Sequence, residues 1–238
     1  MLNTHQSMRL FKKIDPLQRE KWEQLHKKGY HPSVKEALKL IDYYPEGKGW
    51  IFEDWGRRLQ MDDLANVKNK IVLEIGFGGG WYIAQILKHG ANKAIGFEVS
   101  RTTIDKTKEL LDILHLSNYD LHEVDERYLE VLPPNSVDIG FEHTVFQHIT
   151  EEATRNYLKT LSSVLKQDGF FIGQFLMNDK IKIKDPYAKG EEEGIIYYSH
   201  DEVLNMVKDC GYIVTKYADH EWTDKNGSYW RYYVLKPV

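Results

Sequence analysis

An apolar run from Ile71 to Ile75 leads into three glycines at alternate positions, Gly76, Gly78 and Gly80, and then into an amphipathic stretch, Trp81 to His89. The pattern predicts a buried strand, a tight turn and a helix, in that order. A turn without side chains lets a ligand approach bare backbone at a helix start, where unpaired N–H groups face it. Nucleoside-bearing ligands use this arrangement, and the glycine spacing limits which kind. A dinucleotide fingerprint reads G-x-G-x-x-G, but Trp81 stands where its third glycine belongs.

Signals around this unit alternate between strand and helix, as a parallel sheet with helical crossovers requires. Strands are expected at Lys93–Glu98, Tyr119–Val124, Val137–Phe141 and Gly169–Phe175. Ser100 and Thr150 are placed to cap the intervening helices, and Ser199-x-x-Glu202 is a capping box for a third that stops at Gly211. Two further strands, Tyr212–Trp222 and Ser228–Lys236, flank Asn226-Gly227, a strong hairpin turn signal. The last strand must therefore run antiparallel to its neighbour. The expectation is a seven-stranded, mostly parallel sheet with helices on both faces and an antiparallel C-terminal hairpin.

Two helices should precede the sheet. One starts at Asp15-Pro16 and stops at Gly29, and the other opens at the capping box Ser33-x-x-Glu36 and ends before Pro45. Gly47 to Gly56 reads as irregular and aromatic. We expect residues 1–69 to form a helical cap or lid on a domain spanning 70–238; a layer that merely shields the sheet edge is the alternative.

A hydrophobic content of 42% with 29% charged residues suits a globular chain of this length. Net charge of −4 gives no electrostatic reason to expect a polyanionic partner, so nucleic acid is not anticipated. Cys210 is the single cysteine, which rules out an intramolecular disulfide and suits the cytoplasm. No apolar run approaches a membrane span, and Met1 to Lys13 lacks the apolar core of a signal peptide.

Glu74-Ile-Gly-Phe-Gly-Gly-Gly80 resembles the first motif of the class I S-adenosylmethionine-dependent methyltransferases, and the later motifs arrive in that family's order from Val72 to Pro237. The resemblance implies that Glu74 and the Gly76, Gly78 and Gly80 backbone hold the amino acid half of S-adenosylmethionine. Glu98, about twenty residues past the glycines, would take the ribose hydroxyls, and Asp125-Glu126 the adenine. Asp125 capping a short helix is the alternative. The stretch from Leu132 to Ile149 is similar to the family's fourth-strand signature, which would put Glu142 and His143 beside the reacting methyl. His148 matches a position where several members acting on small molecules place a histidine.

As general base, His148 is the first choice and His143 the second; His148 packing under the lid or capping a helix is the competing reading. Most of the rate should come from alignment, because a sulfonium is already activated. Other branches fit less well. Methyltransferases of DNA amino groups carry Asn/Asp-Pro-Pro-aromatic after the fourth strand, where this chain reads Glu142-His-Thr-Val. Arginine-directed members need two glutamates there. Glu142, His143 and His148 match no metal-ligand spacing, so no metal is expected.

The acceptor pocket is expected among Trp50, Trp55, Tyr82, Phe146, Phe175, Met177, Tyr187, Tyr197 and Tyr198, whose aromatic walls suit a small molecule. Arg57 and Arg58 either reach the cofactor carboxylate or lie on a solvated helix face. The reading is thus a cytoplasmic methyltransferase moving a methyl to an oxygen or nitrogen of a small-molecule metabolite, with no nucleic-acid or membrane partner. Alternatives are a protein-directed methyltransferase, a non-catalytic S-adenosylmethionine-binding subunit and an NAD-dependent oxidoreductase.

Overall fold

A computed structural model describes residues 16–30, 33–43, 51–124, 128–181 and 195–238. Three helices come first, α1 (Pro16–Lys27), α2 (Val34–Tyr43) and α3 (Ile51–Leu59). Alternating units follow: β1 (Ile71–Ile75), α4 (Trp81–Lys88), β2 (Lys93–Glu98), α5 (Arg101–Ile113), β3 (Tyr119–Glu123), β4 (Val137–Glu142), α6 (Glu151–Val164), β5 (Leu165–Met177), α7 (His200–Asp209), β6 (Tyr212–Thr223) and β7 (Tyr229–Pro237).

The seven strands form one sheet in the order β3-β2-β1-β4-β5-β7-β6. The first five are parallel, and β7 pairs antiparallel with both β5 and β6. Gly227 supplies the positive φ (79°) that the β6–β7 turn needs, and the Asp224 carboxylate accepts from the Asn226 and Ser228 amides. This is the architecture expected from the alternating signals.

Strand alternation sends Val72 to one face of the sheet and Leu73 to the other, so the core has two halves. One packs under α6 and α7, around Leu73, Phe97, Leu158 and Phe171. The other packs under α3, α4 and α5, around Phe52, Trp55, Ile83, Ile104 and Phe141. The capping boxes Ser33–Glu36 and Ser199–Glu202 both form, with each serine hydroxyl accepting the glutamate N–H and each carboxylate accepting the serine N–H.

Two expectations are corrected. Residues Ile51 to Leu59 form a regular helix, not an irregular segment. Ile51, Phe52, Trp55 and Leu59 make its buried stripe, while Asp54 pairs with Arg57 and Arg58 one turn on. Strand β5 starts four residues early, at Leu165, because the chain extends directly out of α6 and the Lys166 ammonium reaches Asp138 on β4.

Candidate active site

The order of strands reverses direction between β1 and β4, and ligands of open α/β sheets bind at the carboxyl edge of such a switch point. A cavity of about 280 Å³ opens there, beyond the ends of β1, β2, β3 and β4.

Its floor is the glycine turn. Gly76 has φ 67°, and a Cβ there would fall 2.4 Å from Val145 Cγ2. Gly80 has φ 74° and opens α4, where a Cβ would strike Thr107. Only glycine meets both demands. Gly76 and Gly78 line the cavity, whereas Gly80 stays behind the wall.

Glu98 ends β2 with its carboxylate in the cavity wall, accepting from the backbone N–H groups of Val99 (2.7 Å), Ser100 (3.1 Å) and Gly78 (3.1 Å). A carboxylate has about four acceptor sites, so Glu98 keeps capacity for a ligand hydroxyl. Burial raises its pKa against the pull of these donors. Glu74 also lines the cavity and is 2% exposed, and its Oε2 has no hydrogen-bond partner among the described residues. Burial, and then the charge of Glu98, lift its pKa well above the usual carboxylate range. A buried carboxylate oxygen with nothing to accept from is placed to meet a cationic ligand. The vacant acceptor and the close glycine backbone fit the amino acid half of S-adenosylmethionine.

The adenine candidates Asp125 and Glu126 lie outside the described residues, as do Trp50 and Tyr187. Val124 and Tyr128, on either side of the first two, do line the cavity. His143, beyond β4, packs against Tyr82 and Trp55. Burial, and then the charge of His220, bring its pKa down to about 4, so the ring is neutral at working pH. His148 ends a 3₁₀ turn, Phe146–His148, and meets Trp22 edge-on at 5.2 Å. Both histidines line the cavity.

Other expected residues lie elsewhere. Glu142 is wholly buried and not in the cavity wall; its carboxylate accepts from the N–H groups of Val145, Phe146 and Gln174. Of the described acceptor-pocket candidates only Tyr82 lines the cavity, because Trp55, Phe146, Phe175, Met177, Tyr197 and Tyr198 are core residues. Arg58 is held by Asp54 and Glu221, away from the cleft.

Sequence reasoning expected a cap but named none of the α1 residues that line the cavity. Trp22, His26 and Tyr30, at i, i+4 and i+8 along α1 and its exit, line the cavity. That i, i+4, i+8 spacing of ring side chains was the available signal. The roof is tied down: Arg19 donates to the Glu123 carboxylate and the Val124 carbonyl, Thr103 Oγ1 meets His26 Nδ1, and Glu23 accepts from Ser100 and Thr102.

Residues 72–169 match the family described as a methyltransferase domain. Over that stretch the chain matches a methyltransferase domain, and its sheet has the class I methyltransferase fold. A solved S-adenosylmethionine-dependent methyltransferase from Aquifex aeolicus superposes with a TM-score of 0.56 at 20% identity, covering 84% of this chain and 98% of that one. Among curated relatives, a tRNA (guanine-N(7)-)-methyltransferase of Thermotoga maritima is 36% identical over 120 residues, which is 47% of this chain and 38% of that protein. The chain therefore spans well under half the length of that relative. Mouse EEF1A lysine methyltransferase 2 is 25% identical over 186 residues, 73% of this chain and 71% of that protein.

These relatives overturn the expectation of a small-molecule acceptor without nucleic-acid partners, since one is named for tRNA. The inference failed because net charge sums the whole surface and says nothing of the local patch around one cleft. Among the described residues, no helix is long and apolar enough to cross a membrane.

Proposed function

We propose that this protein transfers the methyl of S-adenosylmethionine to a nitrogen atom of a macromolecule. Glu74 Oε2, buried at the glycine turn near Glu98 and without a hydrogen-bond partner among the described residues, carries the cofactor half of this reading. The acceptor half is supported by the names of the relatives, which specify guanine N(7) and lysine, both nitrogens.

When bound, S-adenosylmethionine supplies a methyl already activated on a sulfonium. Glu98 accepts from the ribose hydroxyls, Glu74 faces the ammonium, and the Gly76–Gly80 backbone leaves room for the amino acid half. Asp125 and Glu126 serve the adenine between Val124 and Tyr128. Helix α1 and its exit shield the cleft from water through Trp22, His26 and Tyr30. His148 takes the proton where the acceptor is an ammonium or carries N–H, and neutral His143 is the second candidate. A cytoplasmic location belongs to the same proposal, supported by the single, reduced Cys210.

The test is transfer of radiolabelled methyl from S-adenosylmethionine into three separated fractions of a cell extract: tRNA, protein and low-mass metabolites. Label in tRNA or protein, released as a methylated nitrogen on digestion, supports the proposal. Label confined to the low-mass fraction, or none in any, overturns it.

A further inference from the structure

The cleft wall beyond β4 contains a strained residue. Thr144 has φ 62°, in the left-handed region that a β-branched side chain rarely enters. It lines the cavity between His143 and Val145. Two buried side chains outside the cavity hold it there. The Thr144 N–H donates to Gln174 Oε1 at 2.9 Å. The Gln174 N–H donates in turn to Glu142, whose other oxygen accepts from Val145 N–H at 2.8 Å and Phe146 N–H at 3.4 Å. Glu142 is 0% exposed and Gln174 2%. The turn is closed on its far side as well, because Gln147 donates to the Thr144 carbonyl at 2.6 Å and the His148 N–H donates to the Val145 carbonyl. Val145, so placed, fills the space that Gly76 leaves by lacking a Cβ.

We propose that Gln174 and Glu142 are positioning residues that lock Thr144 in its left-handed conformation and so aim His143, Val145 and the turn carrying His148 into the cleft. Neither side chain touches the cavity; both act through backbone N–H groups. Strain clustered at a site persists only where the surroundings over-determine it, and this pair supplies that restraint. The proposal rests on reading the cleft as the reaction site, but not on the identity of the acceptor.

The test follows the His143 ring by NMR of protein with ¹³C-labelled histidine, free of cofactor. His143 is packed between Trp55 and Tyr82 and close to His220, and in the intact protein it stays neutral down to about pH 4. Replacing Gln174→Met removes the acceptor for Thr144 N–H at nearly constant volume. The expected result is a His143 midpoint displaced upward by about one unit or more, toward the ordinary value near 6.5. Adding Thr144→Gly, which adopts positive φ without help, should return the midpoint to the parent value. A folded Gln174→Met protein whose His143 titrates as in the parent overturns the proposal.

Should Gln174→Met fail to fold, hydrogen exchange in the unaltered protein decides. The Thr144 and Val145 amides should then exchange about a hundredfold or more slower than unprotected amides, and unprotected rates would overturn the proposal. Calorimetry with S-adenosylhomocysteine separates the two readings. A protein that binds none of it but shows the Thr144 protection and the His143 displacement sinks the proposed function and leaves the positioning pair intact.

Discussion

The Glu23 carboxylate accepts a 2.7 Å hydrogen bond from the Ser100 hydroxyl and so joins helix α1 to the start of α5. Thr102 adds its hydroxyl and backbone N–H to the same carboxylate. A carboxylate at a helix N-terminus meets both unpaired donors and the positive end of the helix dipole. Burial raises the Glu23 pKa, but the bonds from Ser100, Thr102 and Lys27 outweigh that and bring it to about 2. The folded value thus lies below the unfolded one near 4.3. Glu23 therefore adds stability above the unfolded value, and that contribution is lost as pH falls toward 2. Glu23→Gln should reduce stability at neutral pH by about 1 kcal/mol. It should also flatten the pH dependence between about 4.5 and 2, measured by urea midpoints across that range.

Gly80 and Gly90 separate backbone strain from crowding. Both have positive φ, 74° and 84°. A Cβ on Gly80 would sit 2.3 Å from Thr107 Cγ2, whereas one on Gly90 meets nothing nearer than Lys68 Cγ at 3.7 Å. Gly90→Ala should cost about 1–2 kcal/mol, the left-handed penalty alone. Gly80→Ala should cost about 3 kcal/mol or more, because Thr107 is fully buried and has little room to move. Equal urea midpoints for the two variants would contradict this.

The sheet was legible because its signals are local. Apolar runs, the alternate glycines and the Asn226-Gly227 turn each act within a few residues. The capping boxes at Ser33 and Ser199 were legible for the same reason. Helix α3 was hidden because Gly56 sits inside it. That glycine is kept because a Cβ there would lie 2.9 Å from the Met61 carbonyl oxygen, a contact invisible before the chain folds. The start of β5 was hidden because Leu165 continues the helical spacing of Leu161. Glu142 is the instructive case for the site. Its place at the end of β4 was correct, but its partners are the N–H groups beyond a left-handed turn at Thr144, which no spacing rule anticipates.

His143 should make the protein acid-sensitive. Burial, followed by the charge of His220, depresses its pKa to about 4, whereas an unfolded imidazole titrates near 6.5. Between those values the unfolded chain binds more protons, so stability falls as pH drops through the window. His143→Gln should remove that part of the slope. Urea midpoints at several pH values between about 4 and 6.5 check this, and an unchanged slope would mean that His143 is accessible to protons in the folded state.

His148 should matter to turnover and little to cofactor retention. It lines the cavity under Trp22, and its 3₁₀ turn is closed by the bond from its own N–H to the Val145 carbonyl. His148→Ala should lower methyl transfer by roughly a hundredfold where the acceptor must lose a proton. The dissociation constant for S-adenosylhomocysteine should stay within about threefold of the parent. A large loss of cofactor binding with little change in turnover would remove His148 from the role of base and make it part of the roof.

Glu98 is the residue on which cofactor affinity should depend most. Its Oε1 accepts from Val99 and Ser100 and its Oε2 from Gly78, so it fixes the glycine turn to the end of β2 and keeps acceptor capacity that the proposed function gives to the ribose. Glu98→Gln keeps the shape but turns one acceptor into a donor, and that NH₂ must face an N–H whichever way the amide lies. The turn loses an anchor and the ribose loses a charged acceptor together. Hydrogen bonds to charged groups contribute about 1.5–3 kcal/mol each, so losing two should weaken binding by about 3 kcal/mol or more, over a hundredfold. Asp105→Asn, on the exposed face of α5, serves as the control and should bind as the parent does. Calorimetry with S-adenosylmethionine reads both variants directly. If Glu98→Gln binds within about threefold of the parent, the ribose does not lie at the end of β2, and the cofactor's orientation in the cleft must be reversed.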